Sequence, residues 1–190
     1  MASASEQLAK NINFEAFGKA KELQQRIIFT LVILIVYRLG TYLPIPGIDP
    51  DQFRQIFQNQ EGGLLQNLNL FAGGAIERMG IFALNVMPYI SASIIMQLMS
   101  HVHPTLEQLR KEGEAGKRKI TQYTRYGTVA LATFQAVGVS IALEGQSSGA
   151  LALVPDPGYA FRITAVTTLV TGTLFLMWLG EQITERGIGN

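Results

Sequence analysis

The sequence contains no cysteine, and only 15% of its 190 residues are charged. Without cysteine, disulfide bonds and thiolate metal sites are excluded. The formal net charge of +1 gives no strong field of either sign, so charge does not favour a nucleic-acid partner. The sequence also lacks a glycine-rich nucleotide loop, a metal-ligand cluster and a nucleophile elbow. The composition therefore gives little support to an enzyme, and no cofactor or metal is predicted.

Hydrophobic residues make up 48% of the sequence and are concentrated in blocks separated by polar segments. Three uncharged blocks, 81–100, 126–143 and 163–180, approach the roughly 20 residues that a helix needs to cross a bilayer. A fourth block, 27–43, contains Arg38 but reaches spanning length if that side chain extends to the interface. The sequence therefore predicts an all-α fold, a polytopic transmembrane helix bundle.

The segments between these spans predict which side of the membrane each one faces. Residues 101–125 carry six cations and the amino-terminal arm, residues 1–26, carries four, whereas the loops at 44–80 and 144–162 carry fewer. Positively charged loops stay in the cytoplasm, so both ends of the chain are predicted to be cytoplasmic. The arm is expected to be an amphipathic helix at the interface, and residues 181–190 the truncated start of a further cytoplasmic loop.

The external loop at 44–80 is predicted to contain two short helical pieces. Asp49 is a plausible N-cap for a helix that has Pro50 at its first position and ends near Asn59. Further along, apolar residues recur at helical spacing but are interrupted by glycines, which predicts a half-length helix that cannot span the bilayer. The residues of this half-helix are Leu65, Leu68, Phe71, Gly73, Gly74 and Ile76.

The span at 81–100 carries a proline and two different stripes. Pro88 lacks an N–H and predicts a kink, because it leaves the carbonyl of Leu84 without its helical donor. A polar stripe comprises Asn85, Tyr89, Ser93 and Gln97. It lies beside an apolar stripe of Val86, Ile90 and Ile94. The polar stripe fits hydrogen bonds within a bundle, and it equally fits the border of a wet cavity with a hydrophobic constriction.

Two other spans carry small residues four positions apart. These are Thr128, Ala132, Ala136 and Ser140 in one span, and Thr164, Thr168 and Gly172 in the other. Because small side chains let helix backbones approach closely, both stripes are predicted to be packing faces.

Four long motifs resemble the SecY family, the channel subunits of the Sec translocon. They are PIPGID at 44–49, FAGGAIERMGIFALNVMPYISASIIMQL at 71–98, HPTLEQLRKEGEAGKRKITQYTRYGT at 103–128 and GTLFLMWLGEQITERGIGN at 172–190. Family members have ten transmembrane helices in two pseudo-symmetric halves. The four predicted spans are similar to the first half without its fifth helix.

The resemblance implies a role for several residues. The half-helix at roughly 64–78 would be the plug that seals the external funnel, and Val86 and Ile90 would belong to the pore ring. The residues implied for one side of the lateral gate are Met87, Ser91, Ile94 and Gln135. Asn85 stands where glycine is common in the family, and Val86 where isoleucine is common.

The resemblance also implies a function and partners. Such a channel would conduct unfolded secretory proteins across the plasma membrane and release signal sequences and transmembrane segments into lipid. The implied partners are SecE, SecG, the SecA ATPase or the ribosome, signal peptides, nascent chains and membrane lipids. From the residues alone, half of a secondary transporter with a broken helix at 73–88 is an alternative, although its usual intramembrane ionisable residue is missing. A structural membrane scaffold is a third hypothesis.

Overall fold

The computed structural model of the protein describes residues 21–59, 70, 74–146 and 153–188. The helices named here are α1 (Lys21–Gly40), α2 (Pro50–Asn59), α3 (Met87–Val102), α4 (Pro104–Lys111), α5 (Glu114–Gln146) and α6 (Tyr159–Arg186). Across the described ranges there is no β-strand, and a single antiparallel bridge joins Pro44 to Gly80. The prediction of an all-α fold is confirmed.

Three of the described helices are long and apolar enough to cross a membrane: α1, α5 over Glu114–Gly145, and α6. The helices extend beyond the uncharged blocks, since α1 begins inside the predicted arm and α5 includes the cationic residues that follow Gly113. Charged residues at the ends of such helices reach the interface while the apolar middle crosses the hydrocarbon core. The chain is therefore a multi-pass membrane protein.

The short helix α2 begins as the sequence predicts. Asp49 Oδ1 accepts hydrogen bonds from the backbone N–H groups of Asp51 at 3.0 Å and Gln52 at 3.3 Å. These are the first-turn donors that a helix itself cannot satisfy. The N-cap at Asp49 is thus confirmed, and α2 ends at Asn59.

The start of α3 differs from the prediction. The helix has 16 residues and begins at Met87, so Pro88 lies in its first turn. A proline there costs little, because the N–H it lacks would have no acceptor within the helix. Asn85, with φ of 55°, interrupts the helical backbone just before this point. The predicted kink at Pro88 is therefore wrong, and residues 81–86 form turns rather than the first part of a span.

The chain divides into two compact units, Tyr37–Trp178 and a smaller one formed by Met1–Val36 and Leu179–Asn190. In the larger unit, one hydrophobic core joins the residues after α1 to α5 and α6. Its members are Ile45, Ile48, Met79, Ala136, Leu143, Leu153, Val154, Phe161, Ala165 and Leu169. In the smaller unit, Thr30 Oγ1 accepts a hydrogen bond from the backbone N–H of Ile188 at 3.0 Å.

The two stripes of small residues have different outcomes. On α5, the side chains of the predicted stripe, from Thr128 to Ser140, are all 0% exposed, which confirms this packing face. On α6, Thr164 is exposed, and the buried positions nearby are Ala165 and Leu169. Burying two apolar side chains gains more than burying a threonine, whose Oγ1 here donates to its own helix at the carbonyl of Ala160. The α6 prediction is wrong for Thr164.

Candidate functional site

A connecting segment, residues 80–86, leads into α3 and is hydrogen-bonded to the chain that follows α1. The N–H of Ile81 donates to the carbonyl of Leu43 at 2.9 Å, and the N–H of Ile45 donates to the carbonyl of Met79 at 3.0 Å. These two bonds form a short antiparallel pairing. The connecting segment is therefore held to the chain just after α1 by backbone hydrogen bonds.

Phe82 anchors the connecting segment in the protein interior. Its side chain is 2% exposed, and its ring stacks on Tyr37 at 5.8 Å and on Phe175 at 6.1 Å between centroids. Two glycines make room for the segment. A Cβ added to Gly40 would lie 2.0 Å from the Phe82 ring, and one added to Gly172 would lie 2.1 Å from the carbonyl oxygen of Ile81. The segment thus lies in close contact with both α1 and α6.

Left-handed backbone conformations occur near both ends of the connecting segment. Met79 has φ of 45° and Asn85 has φ of 55°. This region costs most residues roughly 1–2 kcal/mol, and asparagine tolerates it better than other residues with a side chain. The conformation therefore suits the asparagine at position 85.

The two candidate ring residues lie together at the beginning of α3. The N–H of Ile90 donates to the carbonyl of Val86 at 3.0 Å, so the residues occupy successive turns on one face. Val86 is half-buried, and the Ile90 side chain is 43% exposed. Ile94, one turn further, is also exposed. The structure therefore presents branched apolar side chains on an open face of α3.

The candidate gate residues fall on two helices that pack together. Ala92 of α3 is buried against α5, where a Cβ added to Gly127 would lie 3.5 Å from the Ala92 Cβ. Leu84, three residues before α3 begins, and Val139 of α5 line one cavity, so α5 runs antiparallel to the chain that leads through α3. On α5, Gln135 lies eight residues from Gly127, whereas on α3 Met87 lies five residues from Ala92 in the matching direction. Among the gate candidates Gln135 is therefore nearest in level to Met87, and it lies roughly two turns or more from the levels of Ser91 and Ile94.

The plug candidates are only partly within the described residues. Leu65, Leu68, Phe71 and Gly73 lie outside them. Gly74, in contrast, has φ of 84°, a conformation that glycine adopts without steric cost. Residues 74–79 form turns, so the predicted half-helix is wrong for this part of the segment, and Ile76 within these turns is half-buried.

An apolar cavity of about 250 Å³ lies next to these turns. It is lined by Phe53, Ile76, Met79, Ala83, Leu84, Val139, Ala142 and Leu143. These residues come from α2, from the turns before α3 and from α5, so sequence spacing could not reveal that they meet. The candidate plug residue Ile76 thus faces the same space as the connecting segment.

The cationic segment after α3 forms a helical hairpin. Gly113 has φ of 75° between α4 and α5, and a Cβ on Gly116 would overlap the carbonyl of Leu109. On α4, Lys111 Nζ lies 2.6 Å from Glu107 Oε1, and this hydrogen bond lowers the pKa of Glu107 below its ordinary value. Most cations of the hairpin are exposed, which suits a surface in water.

The long apolar helices, the connecting segment hydrogen-bonded to the chain after α1, and the exposed apolar face of α3 are the features of a polytopic helical membrane protein. The family model for SecY matches residues 80–190 of the chain. The chain belongs to the SecY family.

Curated relatives agree with this assignment. The chain is similar to the protein translocase subunit SecY of Escherichia coli (strain K12), with 55% identity over 175 residues that cover 92% of this chain and 39% of the relative. The protein of the same name from Pseudomonas aeruginosa is 57% identical over 173 residues, covering 91% of this chain and 38% of the relative. The one from Buchnera aphidicola is 55% identical, and the chain covers 49% of it. The chain thus spans less than half of each relative.

Proposed function

We propose that this chain is part of the central channel subunit of the Sec translocon. The whole protein would conduct unfolded secretory proteins across the membrane and release signal sequences and transmembrane segments into lipid through a lateral gate. The observation that carries this proposal is the identity of 55% to relatives named protein translocase subunit SecY. The connecting segment and α3 both lie within residues 80–190, which the SecY family model matches.

In this proposal Val86 and Ile90 contribute to the pore ring. Branched apolar side chains are poorly wetted, and a constriction made of them resists the passage of ions and water. Dispersion contacts need no specific partner, so the same ring can close around a polypeptide of any sequence. The open face of α3, on which Ile90 lies, supports this role.

The plug in this proposal comprises Leu65, Leu68, Phe71, Gly73, Gly74 and Ile76. The positive φ of Gly74 supports a hinge beside it, because glycine changes between backbone regions at low cost. The lateral gate would be lined by Met87, Ser91 and Ile94 on α3 and by Gln135 on α5. Ala92 and Gly127, which are both small, let these two helices approach closely beside the candidate gate residues.

The protein would lie in the bacterial inner membrane with its amino terminus in the cytoplasm, as the distribution of cations supports. SecE and SecG would be its membrane partners. The SecA ATPase or the ribosome would approach from the cytoplasm and supply the energy, and no covalent step is assigned to this chain.

Cysteine crosslinking in the whole protein tests the pathway, because this chain has no cysteine of its own. The test position is Ile90→Cys, and the matched control is Ile95→Cys, which lies on another face of α3 and is 50% exposed against 43% for Ile90. Ala132→Cys, at 0% exposure, is the buried control. A secretory chain carrying a photoactivatable or thiol-reactive group is stalled during export, and its adducts are quantified.

We expect adducts at position 90 and few at positions 95 and 132. Equal adducts at 90 and 95 would mean that the nascent chain has no defined path along α3. If position 90 is modified by small reagents but never by the stalled chain, a small-solute transporter becomes the better hypothesis.

A further inference from the structure

Two arginine side chains contact the same tyrosine ring where α1 ends. Arg38 Cζ lies 5.2 Å from the centroid of the Tyr42 ring, and Arg78 Cζ lies 4.3 Å from it. Arg38 Nη2 also donates to the Tyr42 hydroxyl at 3.3 Å. Arg78 belongs to the turn at 74–79, so the fold brings two cations that are distant in sequence to one ring. Cation–π contact orients both guanidinium groups.

One guanidinium nitrogen of Arg78 lacks a partner among the residues that the structure describes. This atom, Nη1, is buried and has no hydrogen-bond acceptor there. The neighbouring carboxylate, Glu77, lies 3.7 Å from Nε of Arg54 on α2. Burying a guanidinium nitrogen without an acceptor is unfavourable, and a second cation beside the same ring adds repulsion. An anion beside this pair would relieve both costs.

The position of the pair relative to the membrane indicates which anions would be available to it. α1 has 20 residues, enough to cross the hydrocarbon core, and it ends at Gly40. Around its end, Leu39, Tyr42 and Leu43 are exposed apolar side chains. Tyrosine at such a boundary lies at the level of the lipid headgroups, and arginine side chains extend toward them. Phosphate groups are the anions of that layer.

We propose that Arg38, Tyr42 and Arg78 form a binding site for a phosphate group. The planar guanidinium groups would each donate to phosphate oxygens, and Tyr42 would hold them in position. The phosphate can come from a phospholipid headgroup or from free inorganic phosphate. The site shares Arg78 with the end of the predicted plug segment and is separate from the candidate pore ring and gate residues.

Lipid titration of the whole, delipidated protein in neutral detergent tests the site, with native mass spectrometry counting bound molecules. The probes are a short-chain phosphatidylglycerol and inorganic phosphate. The test variant is Arg78→Gln, and the matched control is Arg54→Gln, which removes the same charge from an ion-paired arginine of the same loop. We expect Arg78→Gln to weaken phosphatidylglycerol binding about tenfold and Arg54→Gln to change it less than twofold.

Equal weakening by the two variants would reduce the effect to general electrostatic attraction and overturn the proposal. Competition by inorganic phosphate would show that the phosphate group alone is recognised. Its failure to compete would assign recognition to the lipid. If Arg78→Gln does not fold, Tyr42→Leu replaces it, since this variant keeps both charges and removes the ring that orients them. It should weaken binding several-fold, and unchanged affinity would overturn the proposal.

Discussion

Replacing Gly172 with alanine tests whether the close approach of α6 to the connecting segment positions α3. The added Cβ would lie 2.1 Å from the carbonyl oxygen of Ile81, where ordinary contact begins at 3.4 Å. The obstructing atom belongs to the backbone, so no change of side-chain rotamer removes the overlap. The N–H of the same residue is bonded to Leu43, and Phe82 beside it is buried, so the segment has little freedom to move.

The expected cost follows from two opposing effects. Overpacking costs about 1–3 kcal/mol, and a backbone obstruction belongs at the upper end of that range. The gain in helix propensity from glycine to alanine recovers up to about 1 kcal/mol. Gly172→Ala should therefore destabilise the protein by about 1–2 kcal/mol. The matched control is Gly138→Ala on α5, where an added Cβ meets nothing within 4 Å. It should be neutral or stabilise the protein by up to about 1 kcal/mol.

Thermal unfolding of the whole protein in detergent measures both variants, and a translocation assay follows. We expect a lower melting temperature and reduced export for Gly172→Ala only. If the two variants melt at the same temperature, the close packing of α6 on Ile81 does not hold the segment, and the reasoning is refuted.

Three further predictions concern local interactions. Asn85→Gly should leave thermal stability unchanged or improve it, whereas Asn85→Val should lower the free energy of unfolding by about 1–2 kcal/mol, because φ at this position is 55°. Equal melting temperatures for the two variants would contradict the left-handed backbone. Glu144 accepts hydrogen bonds from Arg162 Nε at 2.7 Å and from the N–H of Gly158 at 3.0 Å. A double-mutant cycle on Glu144 and Arg162 should therefore give a larger coupling energy than a cycle on the exposed pair Lys117 and Glu114. A coupling energy no larger than that of the exposed pair would contradict this prediction. Lys111→Met should raise the pKa of Glu107 toward its ordinary value in an NMR titration, since the lost hydrogen bond favoured the carboxylate. The stability that this pair contributes is present above the pKa of Glu107 in the unfolded chain, and it is lost as the pH falls through the lowered pKa of the folded state. An unchanged titration would contradict the contact.

Local features of the sequence predicted much of the fold. Spanning lengths, the N-cap at Asp49 and the stripe from Thr128 to Ser140 depend on neighbouring residues or on helical periodicity, which are visible without a tertiary structure. The family resemblance carried by the long motifs agrees with the match at 80–190. The candidate ring, plug and gate roles come from that resemblance and stay predictions.

Other features depended on contacts between distant residues. Pro88 fits either a kink within a long helix or the first turn of a shorter one, and its sequence neighbours do not distinguish the two. The choice is made by Phe82, which packs between Tyr37 and Phe175 and holds the residues before α3 in turns. In the same way, Thr164 and Ala165 both suit a packing face, and the residues that pack against α6 decide which of the two is buried.

The sequence by itself therefore determined that the chain is a polytopic helical membrane protein, because apolar length and local capping are properties of short segments. Its long motifs separately carried the resemblance to the SecY family. Only the tertiary structure decided where α3 begins, which face of α6 is buried, and that Arg38 and Arg78 meet at Tyr42. Each of these depends on the free energy of packing between elements far apart in the chain, which no local pattern encodes.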